Sequence, residues 1–352
     1  MSKLYFKPNI FWIVLLPIWL WGCASKMDNK SFDETISDYP YEINDLLDEF
    51  SLQKGGVANF KPAMDYYGLS EMRVKELRAA VFQRSIAKLS HLNPNGESIP
   101  LITHRLWITP SNAPHEAPEI GLTRYIESVR FLKDKGNYTH YFWCLDKSKI
   151  PQTLARLKNS DVGHLIRIRE LKEIETKMKG LKTIKLLIRE RYFVAATDFI
   201  RTNLVFLFGG IYTDLPWTFK TDITPLLRNF DYLVRITKEG PMNLYLDKNL
   251  LAAKKGDASL GQWLRLMDDF TQIPLAIRKQ TPSMRPQLEW VLAGYTSLFP
   301  ALIREGALLM PISNTLVESH HFGSWNNHKT SIRFGNSDAN ESPLDLFRLN
   351  KR

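Results

Sequence analysis

Apolar positions along the chain change period several times, and each change marks an element. From Tyr41 to Leu92 the spacing is helical. Leu46, Leu47 and Phe50 make one short stripe, and Met72, Val74, Leu77, Val81, Ile86 and Leu89 make another, with Arg and Lys between them. Two or three helices are predicted there. The turn cluster Asn93-Pro94-Asn95-Gly96 then breaks the pattern and sets a boundary. Beyond it, the run from Ile99 to Ile108 predicts a buried strand and Gly121 to Lys133 a helix. Tyr138 to Leu145 predicts an aromatic-rich strand that ends at Asp146, and a further helix starts at Pro151. Leu165 to Glu190 is predicted as one long helix. Phe193 to Phe208 is predicted as another, closed by Gly209-Gly210, and Ile211-Tyr212-Thr213 as a short strand after it. Strands alternating with helices predict an α/β domain that takes its ligand at the strand C-termini. There is no internal repeat and no low-complexity tract.

The N-terminus follows a different rule. Lys3 and Lys7 precede an apolar run from Ile10 to Gly22, and Cys23, Ala24 and Ser25 follow at once. This is the layout of a signal peptide. The run falls short of the roughly 20 apolar residues that a comfortable spanning helix needs. Leu20-Trp21-Gly22-Cys23 resembles a bacterial lipobox, which implies lipidation of Cys23. The alternative is an uncleaved anchor extended by Leu4 to Phe6. Both readings predict an exported, membrane-associated protein. The predicted organisation is residues 1–23 as signal peptide or anchor and 24–95 as linker and helical region. The main domain is 96–335, and 336–352 form a C-terminal tail.

Composition narrows the classes further. The 352 residues are 44% hydrophobic and 24% charged, with a net charge of +10, so an anionic partner is expected. Nucleic acid is not that partner, because no zinc finger, RNP-like run or long block of like charge occurs. Basic residues gather from Arg167 to Arg191 at helical spacing, which predicts a solvated helix face, with a membrane-facing patch as the alternative. Cys23 and Cys144 are the only cysteines. They exclude a disulfide framework and a cysteine-based zinc site, so any metal must sit on oxygen or imidazole ligands. Cys144 is expected to be a buried packing residue, His104 a packed or locally bonded strand histidine, and Asp146 either a turn cap or a cleft residue.

The chemistry-bearing stretch runs from Ala195 to Asp214. Asp198 and Arg201 are three apart on one predicted helix and so share a face. A carboxylate and a guanidinium there can hydrogen-bond vicinal hydroxyls of a sugar. Two glycines end the helix, and a short strand then presents Asp214 at its tip. An aspartate beside a pyrophosphate is where a divalent cation such as Mn²⁺ or Mg²⁺ is needed. The plainer alternative is a helix-end salt bridge and a turn aspartate.

Four ordered pieces carry a family resemblance. Ala196-Thr197-Asp198-Phe199-Ile200-Arg201 and Gly209-Gly210-Ile211-Tyr212-Thr213-Asp214 resemble the core of the DXD-containing sugar transferases that include yeast-type α-mannosyltransferases and glucosylating bacterial toxins. Ile99-Pro100 through His104-Arg105-Leu106-Trp107 resembles their opening strand, and His320-His321-Phe322-Gly323-Ser324-Trp325 their closing element. The segment from Asn243 to Ala253 resembles the stretch that follows the metal strand. The resemblance spans about residues 98 to 330. It implies a GT-A-like nucleotide-sugar-binding domain with a mixed sheet, preceded by an N-terminal helical segment. It implies a retaining transfer of a hexose from a UDP- or GDP-sugar to a hydroxyl of a glycan, lipid or protein. Asp198, Arg201 and Asp214 are then the catalytic candidates. Trp107 is expected to stack on the base, Tyr212 to line the donor site, and Ser324 and Trp325 to close over the diphosphate. Asp214 is the metal candidate.

One departure matters. The family motif has a second metal-binding aspartate where this chain has Pro216. Three readings are open. Asp214 holds metal with help from Glu318, His320 or His321, with Asp222 a weaker substitute. Alternatively, the enzyme is metal-independent and uses Arg201 or another cation. Or the chain binds a nucleotide sugar without turning it over.

Overall fold

The computed structural model describes residues 91–239, 243–278, 308–312 and 317–319, with scattered positions between 68 and 88. Within these, residues 234–239, 243–249, 269–278, 309–312 and 317–319 are described by their backbone. The leader at 1–23, the first helical stripe (Leu46, Leu47, Phe50) and the tail at 336–352 lie outside the described residues. Among the described residues no helix is long and apolar enough to cross a membrane.

The sequence alternation becomes a three-layer α/β domain. Its elements are β1 (Ile102–Trp107), α1 (Glu119–Leu132), β2 (Thr139–Cys144), α2 (Pro151–Lys158) and β3 (Ile166–Glu170). Then come α3 (Leu181–Arg189), α4 (Phe193–Phe208), β4 (Gly210–Thr213), β5 (Trp217–Phe219) and α5 (Thr224–Asn229). The last are β6 (Tyr232–Glu239), β7 (Asn243–Ala253), α6 (Ala258–Arg278), β8 (Leu309–Ile312) and β9 (Val317–Ser319). One seven-stranded sheet has the order β3-β2-β1-β4-β7-β6-β8. Strands β3, β2, β1 and β4 are mutually parallel. β7 is antiparallel to both β4 and β6, and β8 is parallel to β6, so the sheet is mixed.

Strand alternation splits the core into two layers. On one face Leu106 and Trp143 pack with Ala196, Phe199, Ile200 and Leu204 of α4 and with Trp263 and Met267 of α6. On the other, Phe142 and Cys144 pack with Leu122, Tyr125, Ile126 and Val129 of α1. Cys144 is a free, buried thiol, as expected, and burial pushes its pKa up to about 12.

The stretch from 165 to 190 is not the single helix expected. Ile166 and Ile168 alternate with Arg167 and Arg169, a two-residue period that pairs with β2 as strand β3. Two short 3₁₀ turns follow, and Gly180 takes φ +67° before α3 starts. Four of the basic residues here form surface ion pairs. Lys172 meets Glu170 at 2.9 Å and Arg189 meets Glu190 at 3.3 Å, while Arg169 pairs with Glu173 and Lys185 with Glu175. Described positions from 72 to 88 are helical, but Met72 is 70% exposed and so lies off any buried stripe.

The reversal from α4 into β4 rests on two glycines. Gly209 has φ +71° and Gly210 φ +92°, a region that L side chains seldom adopt. A Cβ on Gly209 would lie 2.7 Å from the Lys255 nitrogen, and one on Gly210 would run into the Ile102 carbonyl. His104 closes the same joint. Its Nε2–H donates to the Gly209 carbonyl at 2.8 Å, and its Nδ1 accepts from Trp143 Nε1 at 3.1 Å. These partners hold the neutral ring, and burial pulls its pKa down to about 4. His140, bonded to Thr103 Oγ1 at 2.8 Å, is lowered to about 4 as well, again by burial.

Two predictions follow from this joint. Gly210→Ala should lower unfolding stability by at least about 2 kcal/mol in denaturant titration, because strain and clash act together. The second concerns pH. Both histidines bind protons less well folded than unfolded, so their stabilisation is complete above about pH 6.5 and drains away toward pH 4. Each can remove up to roughly 3 kcal/mol over that window. Stability measured from pH 7 to pH 4.5 should fall, and the fall should be shallower in His104→Gln.

Candidate active site

Helix α4 is almost wholly buried, because most of its residues are apolar or small, and it lies against β1, β4 and β7. Within this apolar setting Asp198 and Arg201 are one turn apart and nearly sealed, with side-chain exposures of 1% and 4%. Their charged groups pair directly with each other. Arg201 Nη1 also reaches Asp214 Oδ1 at 3.3 Å. The same oxygen accepts a hydrogen bond from the Tyr212 hydroxyl at 2.8 Å. The guanidinium carbon stands 5.6 Å from the Tyr212 ring centroid. Burial, reinforced by the Asp214 charge, pushes the Tyr212 phenol well above its ordinary pKa, so it stays protonated and donates.

Asp198, Arg201, Tyr212 and Asp214 therefore form one connected group at the C-terminal end of β4. Asp214 is its outlet to solvent, with a side chain 31% exposed. A ligand would meet Asp214 first, with the Arg201 guanidinium directly behind it.

Trp107 ends β1, the strand beside β4, on the same C-terminal edge of the sheet. It is partly buried, its indole N–H donates to the His115 carbonyl at 3.1 Å, and the His115 ring meets it edge-on at 5.6 Å. Asp146 is a turn cap, accepting from the Ser148 nitrogen at 2.8 Å and its hydroxyl at 2.7 Å. Asp222 likewise caps a turn, accepting from the Thr224 nitrogen at 2.9 Å. Ser324, Trp325, His320 and His321 lie outside the described residues, and Glu318 is described by its backbone in β9.

After Asp214 the chain turns tightly, with the Trp217 nitrogen donating to the Asp214 carbonyl at 3.2 Å. Leu215 and Pro216 form the bend. Sequence reasoning missed how this turn is held. The Trp217 carbonyl accepts from Ser128 Oγ of α1 at 2.8 Å and from Arg105 Nη2 of β1 at 3.3 Å. Arg105 is fully buried, and its guanidinium lies over the rings of Tyr125 at 5.1 Å and Phe219 at 5.9 Å. The only available signal was an arginine in a strand predicted to be buried.

The donor set bears on a metal. Asp214 Oδ1 is engaged by a phenol and a guanidinium, Asp198 is paired with Arg201, and Pro216 offers no ligand. A divalent ion prefers several oxygen ligands and would sit against the Arg201 charge. Among the described residues no group of three metal-binding side chains converges. These residues do not make a divalent-ion site by themselves.

No family model matches the chain, and no curated protein does. Solved structures do. A glycosyltransferase named PaToxG is 13% identical, with 62% of this chain and 82% of that one covered at a TM-score of 0.40. The UDP-bound glycosyltransferase domain of the YGT toxin is 10% identical, with 62% and 81% covered at 0.41. The galactosyltransferase LgtC, in complex with donor and acceptor sugar analogs, is 14% identical, with 60% and 73% covered at 0.33. Those three are a glycosyltransferase, a glycosyltransferase domain and a galactosyltransferase by name.

Proposed function

We propose that the chain is a glycosyltransferase that moves a hexose from a UDP- or GDP-sugar to an acceptor hydroxyl with retention of configuration. The observation that carries this reading is the single connected group made by Asp198, Arg201, Tyr212 and Asp214 at the sheet's C-terminal edge. Two consecutive motif pieces meet there, in the place where open α/β sheets take ligands. In the reaction, the bond from the anomeric carbon to the diphosphate oxygen breaks, and its electrons leave with the diphosphate. The acceptor oxygen forms the new bond, and its proton passes to the departing phosphate oxygen. Arg201 supplies fixed positive charge beside the leaving group, where preorganised donors act most strongly. Asp198 keeps that guanidinium aimed, Asp214 faces the donor's polar groups, and Trp107 offers a ring to the base. Ser324 and Trp325 complete the diphosphate site by their resemblance to the closing element.

A second reading is a binder without turnover, and Pro216 in the bend after Asp214 favours it. A panel of UDP- and GDP-hexoses, assayed for transfer and hydrolysis with and without Mn²⁺, separates the two. Turnover of one donor is expected, falling at least about 100-fold in Asp214→Asn, as for loss of one transition-state contact. Nucleotide binding with no turnover across the panel would favour the binder. Unchanged rates in Asp214→Asn would remove this cluster from the chemistry.

The same proposal places the domain outside the cytoplasm, tethered through residues 1–23. Acyl labelling and membrane fractionation test the tether. Cys23→Ser should lose both the label and the membrane pool if the segment is a lipobox. Retention in the membrane without label would mark an anchor instead.

A further inference from the structure

Among the described residues, Arg105 is the buried basic group that the proposed reaction does not use. It is fully buried, and its guanidinium donates to two backbone carbonyls, His104 at 3.4 Å and Trp217 at 3.3 Å. Its Nε has no hydrogen-bond partner among the described residues. The same holds for the Tyr125 hydroxyl and for Thr213 Oγ1. Thr213 follows Tyr212 in β4, so its side chain turns to the same sheet face as Arg105. A charge held this way is unfavourable for folding, since a buried ion needs a partner charge to offset its lost hydration. The groups that feel it are Tyr125 on α1, Tyr212 and Asp214 on and after β4, His140 on β2, and its strand neighbour His104. The one carboxylate in that set is Asp214. Burial lowers the guanidinium's own pKa only to about 10, so it stays charged at neutral pH.

We propose that Arg105 is a positioning residue of the donor site, holding the turn that carries Asp214 through the Trp217 carbonyl and keeping a permanent positive charge behind it for the diphosphate of a nucleotide donor. This rests on the reading of the Asp214 group as a nucleotide-sugar site. The turn is gripped from two elements, β1 through Arg105 and α1 through Ser128, which fixes its height above the sheet. The charge lies in a water-excluded layer, where it is weakly screened.

The test is calorimetric, in EDTA, on the full chain, comparing UDP with uridine and GDP with guanosine. The quantity read is the advantage of the diphosphate over its nucleoside. Arg105→Met should fold, melt no lower than the parent and bind the nucleoside unchanged, while the diphosphate advantage shrinks about tenfold. That is the attraction of one charge roughly 10 Å away at an effective dielectric near 20. Arg105→Lys should stay within about threefold of the parent, because it keeps the charge. Three results overturn the proposal. One is a diphosphate advantage that survives in Arg105→Met. Another is an equal loss for both ligands, or failure to fold, which makes Arg105 a structural residue. The last is a lysine variant as impaired as the methionine one. If the unsubstituted chain prefers neither diphosphate to its nucleoside, the donor-site reading itself falls, and Arg105's assignment with it. That outcome is read before any substitution is made.

Discussion

The site depends on one guanidinium held between two carboxylates that belong to different elements. Arg201 pairs with Asp198 along its own helix and with Asp214 across the helix-to-strand reversal. Such a group gains little stability as a whole, because hydration lost by three charges offsets most of the Coulomb attraction. Removing one member is another matter, costing about 3–5 kcal/mol when it leaves a buried charge without its partner. The arrangement is therefore rigid without being a main source of stability. Rigidity is what a charge-stabilising site requires, since donors already in place need not reorganise as the leaving group develops charge.

That rigidity comes from the joint below it. Asp214 can meet Arg201 only if β4 starts within a residue of the end of α4, so that the strand returns alongside the helix it left. Gly209 and Gly210 make the reversal sterically possible. His104 then bonds the Gly209 carbonyl from the neighbouring strand. The histidine that looked like a packed strand residue thus fixes the geometry of the site from behind, without approaching a ligand.

How much of this could be read from residues alone depended on whether the signal was local. Helix α4, its glycine stop and strand β4 are local: a long apolar run, two breakers and a β-branched pair specify them, and the structure agrees to the residue at the helix ends. Asp198, Arg201 and Asp214, picked out together in the sequence, are also in contact in the structure. Failure came where two local signals conflicted. Residues 165–190 carry enough apolar and basic residues at spacings of three and four to suggest a helix. The Ile-Arg-Ile-Arg alternation at their start is shorter and is outvoted in a long window, yet it decides the outcome because β2 offers an open edge to pair with. Antiparallel strands β6 and β7 were not anticipated as a pair, and the role of Arg105 could not have been. Its neighbours Tyr125, Trp217 and Phe219 lie 20 to 114 positions away in the chain, and only tertiary packing brings them around it.

The small second sheet ties a distant strand to the turn after Asp214. β5 pairs with β9 in antiparallel register, with Trp217 opposite Ser319. β5 begins at the bend that Leu215 and Pro216 make after Asp214, so β9 delivers the chain at Ser319 to the same bend. A segment a hundred residues downstream is thus registered against the Asp214 turn by backbone pairing alone. The turn cannot move without carrying β9 with it, and Arg105 and Ser128 hold the carbonyl of the residue on which that register is set. A proline at position 216 suits this role better than an aspartate would. It stiffens the bend from which β5 departs, and it leaves the negative charge at the tip of β4 to Asp214, where Arg201 already answers it.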